Sequence, residues 1–319
     1  MVSNVRDKKF VFLLSHQRSG STYLRTCLNK HPSICAPNES HFLLPILEDD
    51  TWSKATSIDI VESQRKHKRS RHFESLEIDE ELVLTTAETA FFRIIEKQEK
   101  KSSIKVIVDK TPEYLFYFEK IRKLFPNSHF IFLIRNGVDN LLSLESRGWQ
   151  GPFQENRADY WKRGCQIISH AQATLGPSKS ILVRYEDLIN NPSKIARSLT
   201  EFLEIEISDK HLTLDDQNFE GTTKLEKELG IHSSIQIGKK MDRTRKHKLS
   251  LEDRQYLESI LGQELKKFGY LDSYVTSRTI DLRYNLYLFL GRLANRFPEN
   301  IKILASVLRR KLVIRRGQL

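Results

Sequence analysis

An apolar run followed by a short polar loop and an amphipathic segment opens the sequence. Five uncharged apolar residues, FVFLL at 10–14, are typical of a strand buried on both faces of a parallel sheet. The next eight, SHQRSGST at 15–22, are polar apart from one glycine, and apolar residues then recur at helical spacing. This order predicts a phosphate-binding loop, because backbone N–H groups and a helix N-terminus converge on an anion there. The simpler interpretation is a strand–helix turn capped by Ser19 or Ser21.

The cation of this loop differs from that of an ATP-binding loop. A Walker A loop carries a lysine directly before its Ser or Thr, whereas here Gly20 precedes Ser21 and the loop cation is Arg18. A kinase or NTPase that uses ATP and magnesium needs that lysine. We keep this class as the alternative function, with Asp109 at a predicted strand end as its candidate magnesium ligand.

Further strands are predicted along the chain, and helical patterns separate them. Apolar runs at 104–108, 130–134 and 181–183 and a short segment at 33–36 indicate these strands. The alternation predicts a three-layer α/β/α fold with a central parallel sheet, like that of P-loop NTPases. Ligands bind beyond the carboxyl ends of the strands in such sheets. Four residues that follow predicted strands should therefore share one edge: Arg18, Lys110, Arg135 and Tyr185.

Arg135, Ser143 and Arg147 form a second candidate anion site. Arg135 ends a predicted strand, and Ser143 and Arg147 are four residues apart, so they share one face of the helix predicted after it. The alternatives are that Ser143 packs against the sheet and that Arg147 is a solvated surface side chain. Together with the first loop, the set predicts a ligand that carries several anionic groups.

Length and composition are those of a globular protein with a sizeable core. The chain has 319 residues, of which 39% are hydrophobic. Three cysteines without a CxxC motif predict reduced thiols, and the first ten residues lack the apolar region of a signal peptide, so the sequence predicts a cytoplasmic protein.

Of the net charge of +11, residues 271–319 hold +7, from ten Lys/Arg and three Asp/Glu. This excess attracts anions in general, and no nucleic-acid partner is expected from it.

Four segments in this order resemble the sulfotransferases that use 3′-phosphoadenosine 5′-phosphosulfate (PAPS). They are HQRSGSTYLRTCLNKHP (16–32), VDKTPEYL (108–115), FIFLIRNGVDNLLSLESR (130–147) and ILVRYEDLINNP (181–192). The resemblance covers most of residues 8–270, and it is to the branch that includes tyrosylprotein, carbohydrate and bacterial enzymes. It implies a sulfotransferase domain over 1–272, followed by a basic helical C-terminal extension over 273–319.

The resemblance also implies roles for individual residues. The 5′-phosphosulfate would be held by Arg18, Ser19, Gly20, Ser21 and Thr22, and the 3′-phosphate by Arg135, Ser143 and Arg147. Tyr185 resembles a tyrosine that contacts the cofactor, and Lys110 a cation near the transferring sulfuryl group. Near the end of the domain, Ser234 resembles a serine that stabilises the sulfuryl group, and Gly238 and Lys246 fall near cofactor contacts.

Glu39 is the catalytic base that the resemblance implies. It lies as far past the loop as the glutamate base of the tyrosylprotein branch, although an acidic residue at a helix N-terminus is the simpler interpretation. His16 and His41 are the competitors, because a histidine is the base in the cytosolic small-molecule branch. The expected reaction is in-line transfer of the sulfuryl group from PAPS to an acceptor hydroxyl. It needs no metal, and adenosine 3′,5′-bisphosphate is the product.

The acceptor and the extension are the least defined parts of this prediction. A carbohydrate or glycolipid is the favoured acceptor, with a protein tyrosine or a small molecule as alternatives. The extension has the pattern of two basic amphipathic helices separated at Pro298. They would pack on the domain, mediate self-association, or lie on an anionic membrane surface, so the expected location is the cytoplasm with peripheral membrane contact as an option.

Overall fold

The computed structural model describes residues 8–41, 43–49, 54, 56, 58–59, 62, 90–91, 94–95, 103–151, 153–214, 250–296 and 298. The chain forms two compact units, one of residues 1–134 and 167–242 and the other of residues 135–166 and 243–319. We call them the sheet unit and the helical unit, because every strand found among the described residues belongs to the first. The boundary predicted at residue 272 stays a prediction.

A five-stranded parallel sheet forms the centre of the sheet unit. The strands β1 (Lys9–Ser15), β2 (Ile34–Cys35), β3 (Val106–Asp109), β4 (His129–Ile134) and β5 (Ser180–Arg184) lie in the order β2-β3-β1-β4-β5. In this register Phe12 lies opposite Asp109 on one side and Phe130 on the other. The earlier strands β2 and β3 lie on one side of β1, and the later strands β4 and β5 lie on the other side. The loop after β1 therefore begins where open parallel sheets bind their ligands.

Alternate residues of β1 face two different cores. The ring centroid of Phe12 is 5.4 Å from that of Phe125 and 5.9 Å from that of Phe130, in an aromatic core. Val11 and Leu13 belong to an aliphatic core on the opposite face. Because successive side chains of a strand point to opposite faces, the run FVFLL supplies both cores. The predicted burial of this strand on both faces is confirmed.

Helices cover both faces of the sheet, so the predicted α/β/α fold is confirmed. In chain order the described helices are α1 (Ser21–Asn29), α2 (Leu44–Glu48), α3 (Phe118–Leu124), α4 (Gly137–Glu145), α5 (Gln154–Leu175), α6 (Tyr185–Asn190), α7 (Pro192–Leu203), α8 (Leu251–Lys267) and α9 (Arg278–Ala294). Two 3₁₀ helices span Pro112–Tyr117 and Asp209–Leu212. The predicted helix at 114–125 therefore begins as a 3₁₀ helix, with Pro112 in its first turn. Most of the helix predicted at 79–100 lies outside the described residues.

In the helical unit, α9 packs closely on the start of α5. A Cβ atom on Gly291 would lie only 2.1 Å from Oδ1 of Asn156. The opposite face of α9 carries a stripe of exposed apolar side chains, which includes Leu282, Leu286 and Phe289 at 63%, 56% and 64% exposure. The extension thus begins with an amphipathic helix, as predicted, and its second predicted helix lies outside the described residues. Within the part that the structure describes, no helix combines the length and the apolar character needed to cross a membrane.

Candidate active site

The loop after β1 contains two residues in the left-handed backbone conformation. φ is 65° at Arg18 and 93° at Gly20. Gly20 is the N-cap of α1 and no side chain makes a capping hydrogen bond there, so the structure does not support the alternative interpretation, a turn capped by Ser19 or Ser21. A capping side chain therefore does not compete with an anion for the first turn of α1.

The ring of Tyr185 lies against the backbone of this loop. A Cβ atom on Gly20 would lie 2.3 Å from Cδ2 of Tyr185, which is the first residue of α6 after β5. Only glycine allows both this approach and a φ of 93° without strain. The structure thus brings Tyr185 and the loop together, as expected for residues that follow parallel strands at one edge of the sheet, although β4 lies between β1 and β5.

Lys110 follows β3 and connects the loop region with Glu39. It is 2% exposed, and its ammonium group donates to Oγ1 of Thr22 at 3.2 Å and to the carboxylate of Glu39. Thr22 lies in the first turn of α1, and Glu39 lies four residues past β2. Three residues that were predicted from separate motifs therefore meet at one point.

His41 contacts the same carboxylate from another direction. Its Nε2 is 2.9 Å from Oε2 of Glu39, and its Nδ1 is 3.8 Å from Oε2 of Glu113. Gln17 of the loop donates to Oε1 of Glu113 at 2.8 Å. We call Glu39, His41, Lys110 and Glu113 the strand-end cluster. Glu113 and Gln17 were not predicted, although they lie inside two of the segments that resemble sulfotransferases.

Opposite influences act on the carboxyl groups of this region. Burial favours a raised pKa for Glu39, but the Lys110 ammonium and the hydrogen bond from His41 outweigh burial and hold that pKa well below its usual range. Burial lowers the pKa of His41, but the carboxylates of Glu39 and Glu113 outweigh burial. The pKa of His41 is therefore raised above the usual histidine value. Burial raises the pKa of Asp109 to about 7, partly offset by the Ser40 hydroxyl, His41 and Lys110. Glu39 is therefore held in its charged form, beside the ammonium of Lys110 and an imidazole whose protonated form is favoured.

Three atoms of the strand-end cluster are of the kind that bind metals. Single ligand atoms of Glu39, His41 and Glu113 lie within 4.8 Å of one another. Two cationic groups, the ammonium of Lys110 and the imidazolium of His41, already offset the carboxylates here. These cationic partners account for the charges of the two carboxylates, and we assign no metal-binding role to Glu39, His41 and Glu113.

The second predicted anion site belongs to the helical unit. Asn136 caps α4 by accepting from the N–H of Val138 at 3.0 Å. The chain leaves α4 through a Schellman turn, in which Gly148 has a φ of 68° and its N–H donates to the carbonyl of Glu145. Arg147 lies in this turn directly before Gly148, and its N–H donates to the carbonyl of Leu144 at 3.1 Å. Its predicted position on one helical face with Ser143 stays a prediction.

The roles predicted for the remaining site residues stay predictions. Arg135, Ser143 and Arg147 are all partly exposed, and their binding of a 3′-phosphate stays a prediction. Ser234, Gly238 and Lys246 lie outside the described residues. His16 is fully buried directly after β1, whereas the other competing histidine, His41, contacts Glu39.

Comparison with known proteins identifies the family. The model of the Sulfotransferase family matches residues 11–209, more than half of the chain. The chain belongs to the sulfotransferase family. This membership confirms the predicted family and leaves the kinase or NTPase alternative without support.

The relatives and the structural neighbours agree with this membership. The Drosophila melanogaster protein-tyrosine sulfotransferase is 23% identical over 210 residues, which are 64% of this chain and 40% of the relative. The Danio rerio protein-tyrosine sulfotransferase 1 is 24% identical over 210 residues, 64% of this chain and 55% of the relative. The chain thus spans about half the length of these curated relatives. The sulfotransferase domain of the Synechococcus PCC 7002 olefin synthase shares the fold, with a TM-score of 0.56, 20% identity and coverage of 83% of this chain and 96% of that domain.

The predicted cytoplasmic location is wrong. The relatives are protein-tyrosine sulfotransferases, and this kinship contradicts a cytoplasmic location. The prediction rested partly on the cysteines. Cys27, Cys35 and Cys165 are free and buried. Free thiols do not identify the compartment, because a chain with a core of this size does not depend on disulfides.

Proposed function

We propose that this chain transfers the sulfuryl group of PAPS to an acceptor hydroxyl, with protein tyrosine as the acceptor class. The observation that carries the proposal is the position of Lys110, whose ammonium group joins Thr22 of the loop to Glu39. A single buried cation thus connects a residue assigned to the phosphosulfate with the residue assigned to the acceptor proton. The names of the curated relatives support tyrosine and give no support to the carbohydrate or glycolipid that the sequence favoured.

In the proposed reaction the acceptor oxygen attacks sulfur in line with the leaving group. An O–S bond forms, the bond between sulfur and the bridging oxygen of the 5′-phosphate breaks, and the acceptor proton passes to Glu39. Adenosine 3′,5′-bisphosphate leaves with the electron pair of the broken bond. Arg18, Lys110 and the N-terminus of α1 would stabilise the charge that develops on the sulfuryl and bridging oxygens. The assignments of Ser234 to the sulfuryl group and of Arg135, Ser143, Arg147, Gly238 and Lys246 to the nucleotide rest on the family resemblance.

The lowered pKa of Glu39 fits a base that is activated when PAPS binds. Lys110 has one ammonium group, and the phosphosulfate offers it a second anionic partner beside Thr22. As this ammonium turns to the phosphosulfate, Glu39 loses the charge that contributes most to lowering its pKa. The basicity of the carboxylate then rises in the complex in which a base is required.

The proposal is tested by transfer of labelled sulfate from PAPS to four acceptors: a tyrosine peptide, a saccharide, a glycolipid and a small phenol. We expect labelled tyrosine peptide and one adenosine 3′,5′-bisphosphate released for each sulfate transferred. Binding of adenosine 3′,5′-bisphosphate should also raise the melting temperature, as for any ligand specific to the folded state. Transfer to the saccharide or glycolipid alone would overturn the acceptor class. Failure both to bind the bisphosphate and to label any acceptor would overturn the function.

A further inference from the structure

His41 has a backbone conformation that is uncommon for a residue other than glycine. Its φ is 55°, in the left-handed region. Its N–H donates to Oγ1 of Thr111 at 3.3 Å, and its carbonyl accepts from the N–H of Leu44 at 3.1 Å. The hydroxyl of Tyr114 accepts from the N–H of Leu43 at 3.0 Å, so the segment is fixed beside the residues that follow Lys110. Backbone strain that is held in place by its surroundings is a feature of functional sites.

A series of polar contacts runs from the phosphate loop through His41 to Glu39. Gln17 donates to one oxygen of Glu113, and the other oxygen of Glu113 lies 3.8 Å from Nδ1 of His41. This last separation is too long for a hydrogen bond, so the contact is an ionic one. On the other side of the ring, Nε2 lies 2.9 Å from Oε2 of Glu39.

The two oxygens of Glu39 have different partners. Lys110 binds Oε1, while His41 binds Oε2. If Lys110 turns to the phosphosulfate, Oε1 becomes available for a proton and Oε2 keeps its hydrogen bond. A carboxylate that is held by one oxygen keeps a fixed orientation toward the acceptor, whereas a carboxylate released by both would rotate.

We propose that His41 is a positioning residue, which holds Oε2 of Glu39 so that Oε1 takes the acceptor proton, and that Glu113 holds His41 in this orientation. The inference rests on the proposed role of Glu39 as the base. In this arrangement Glu113 orients His41, and Gln17 donates a hydrogen bond to Glu113. His41 then orients the base and is not the base itself.

The charge state of His41 provides a measurement that does not depend on activity. The ionisable groups around its ring are Glu39, Glu113 of the 3₁₀ helix, and Lys110 and Asp109 at the end of β3. Among these Glu39 and Glu113 raise the pKa of His41, while burial and Lys110 lower it, with a net rise. If Glu113 holds the imidazolium, neutralising Glu113 should lower this pKa.

The first experiment is an NMR titration of the His41 imidazole in the full chain, with Glu113→Gln as the variant and Glu119→Gln as the matched control. Glu119 is also paired with a histidine, at 3.1 Å from His170, but lies outside the strand-end cluster. We expect the midpoint of His41 to lie above the ordinary histidine value of about 6.5, to fall in Glu113→Gln and to stay unchanged in Glu119→Gln. An unchanged midpoint in Glu113→Gln would overturn the inference, whether or not the chain proves to be a sulfotransferase.

The second experiment measures transfer from PAPS by His41→Asn, since asparagine accepts a left-handed backbone but has no imidazolium. We expect kcat to fall by roughly 10²-fold with little change in the KM for PAPS, because the carboxylate loses its orientation and the nucleotide site is intact. In the unsubstituted chain, kcat should fall at alkaline pH with the His41 midpoint, and in Glu113→Gln this fall should move to lower pH. Full kcat in a folded His41→Asn would overturn the positioning role and leave the proposed transfer intact. Absence of transfer in the unsubstituted chain would refute the proposed function and the positioning role that rests on it.

Discussion

Each unit contains carboxyl groups that are buried or, like Glu39 at 27% exposure, partly buried, and their partners differ. In the sheet unit Glu39 is paired with the ammonium of Lys110 and the imidazole of His41. In the helical unit Glu155 is fully buried and accepts a hydrogen bond from the hydroxyl of Tyr256 at 2.9 Å. Glu264 is 6% exposed, and burial raises its pKa. The carboxylate with cationic partners is held in its charged form, whereas burial in the helical unit disfavours the charged form of Glu264.

This difference in partners indicates different roles for the carboxyl groups of the two units. The strand-end cluster takes its members from two separate chain segments, which follow the neighbouring parallel strands β2 and β3, and it retains charges that are costly to desolvate. Glu155 and Glu264 come from α5 and α8, and the hydrogen bond between Tyr256 and Glu155 joins these two helices. Changes in the strand-end cluster should therefore act on turnover, and changes in the helical unit should act on stability.

The largest effect is expected for Glu39→Gln, which keeps the shape of the side chain and removes its charge. Turnover should fall by ~10²–10⁴-fold, the usual contribution of a general base, while adenosine 3′,5′-bisphosphate still binds. The measurements are single-turnover transfer from PAPS and calorimetric binding of the bisphosphate.

The matched control for Glu39→Gln is Glu204→Gln. Glu204 is also bound to a lysine, with Nζ of Lys9 at 2.6 Å, but this pair lies at the opposite end of β1 and Glu204 is exposed. The control should transfer sulfate at the unsubstituted rate. Equal turnover in the two variants would remove the catalytic assignment of Glu39, and with it the contrast between the units.

Much of the sheet unit could be predicted because local pattern decides it. The run at 10–14 needs burial on both faces wherever it lies, and β1 extends it by only one residue at each end. The cap of α1 could not be read from the sequence, since serine is a good N-cap in isolation. The position of Gly20 is decided instead by the ring of Tyr185, which is 165 residues further along the chain.

The candidate site was predictable only in part, for a related reason. Lys110 and Arg18 follow buried strands, so the sheet rule places them at one edge without knowledge of side-chain contacts. Glu113 has no such signal. Its contact with His41 depends on the 3₁₀ turn after Pro112 and on the left-handed backbone of His41, and neither is encoded by local residue preferences.

The next largest effect, on stability, is expected for Gly291→Ala in α9. Alanine favours a helix by about 1 kcal/mol over glycine, but its Cβ would lie 2.1 Å from Oδ1 of Asn156, so α9 or Asn156 must move. Overpacking of this kind costs about 1–3 kcal/mol, and we expect a net loss of stability that lowers the melting temperature by a few degrees. The control is Leu286→Ala, at an exposed position of the same helix. A fall of sulfate transfer per folded molecule in Gly291→Ala, at an unchanged melting temperature, would break the assignment of the helical unit to stability.

The smallest effect should be that of Glu264→Gln on the pH dependence of stability. Burial raises the pKa of Glu264, and Lys162 and Lys267 offset burial only in part. Such a group binds its proton more tightly in the folded chain, so its contribution to stability decreases as the pH rises above the unfolded pKa of about 4.3, until the folded pKa is passed. Glutamine has no proton to lose, and we expect the variant to show a flatter melting curve against pH from 4 to 7 and a higher melting temperature at pH 7.

Glu258→Gln is the matched control for this measurement, because Glu258 lies on the same helix, is partly exposed and is 3.6 Å from Arg254. Its melting temperature should follow that of the unsubstituted chain across the pH range. If Glu264→Gln follows the same curve as Glu258→Gln, burial does not disfavour the charged form of Glu264. The carboxyl groups of the helical unit would then be stabilised by lysines in the way that Lys110 stabilises Glu39, and the two units would differ in the location of their charges and not in how they are balanced.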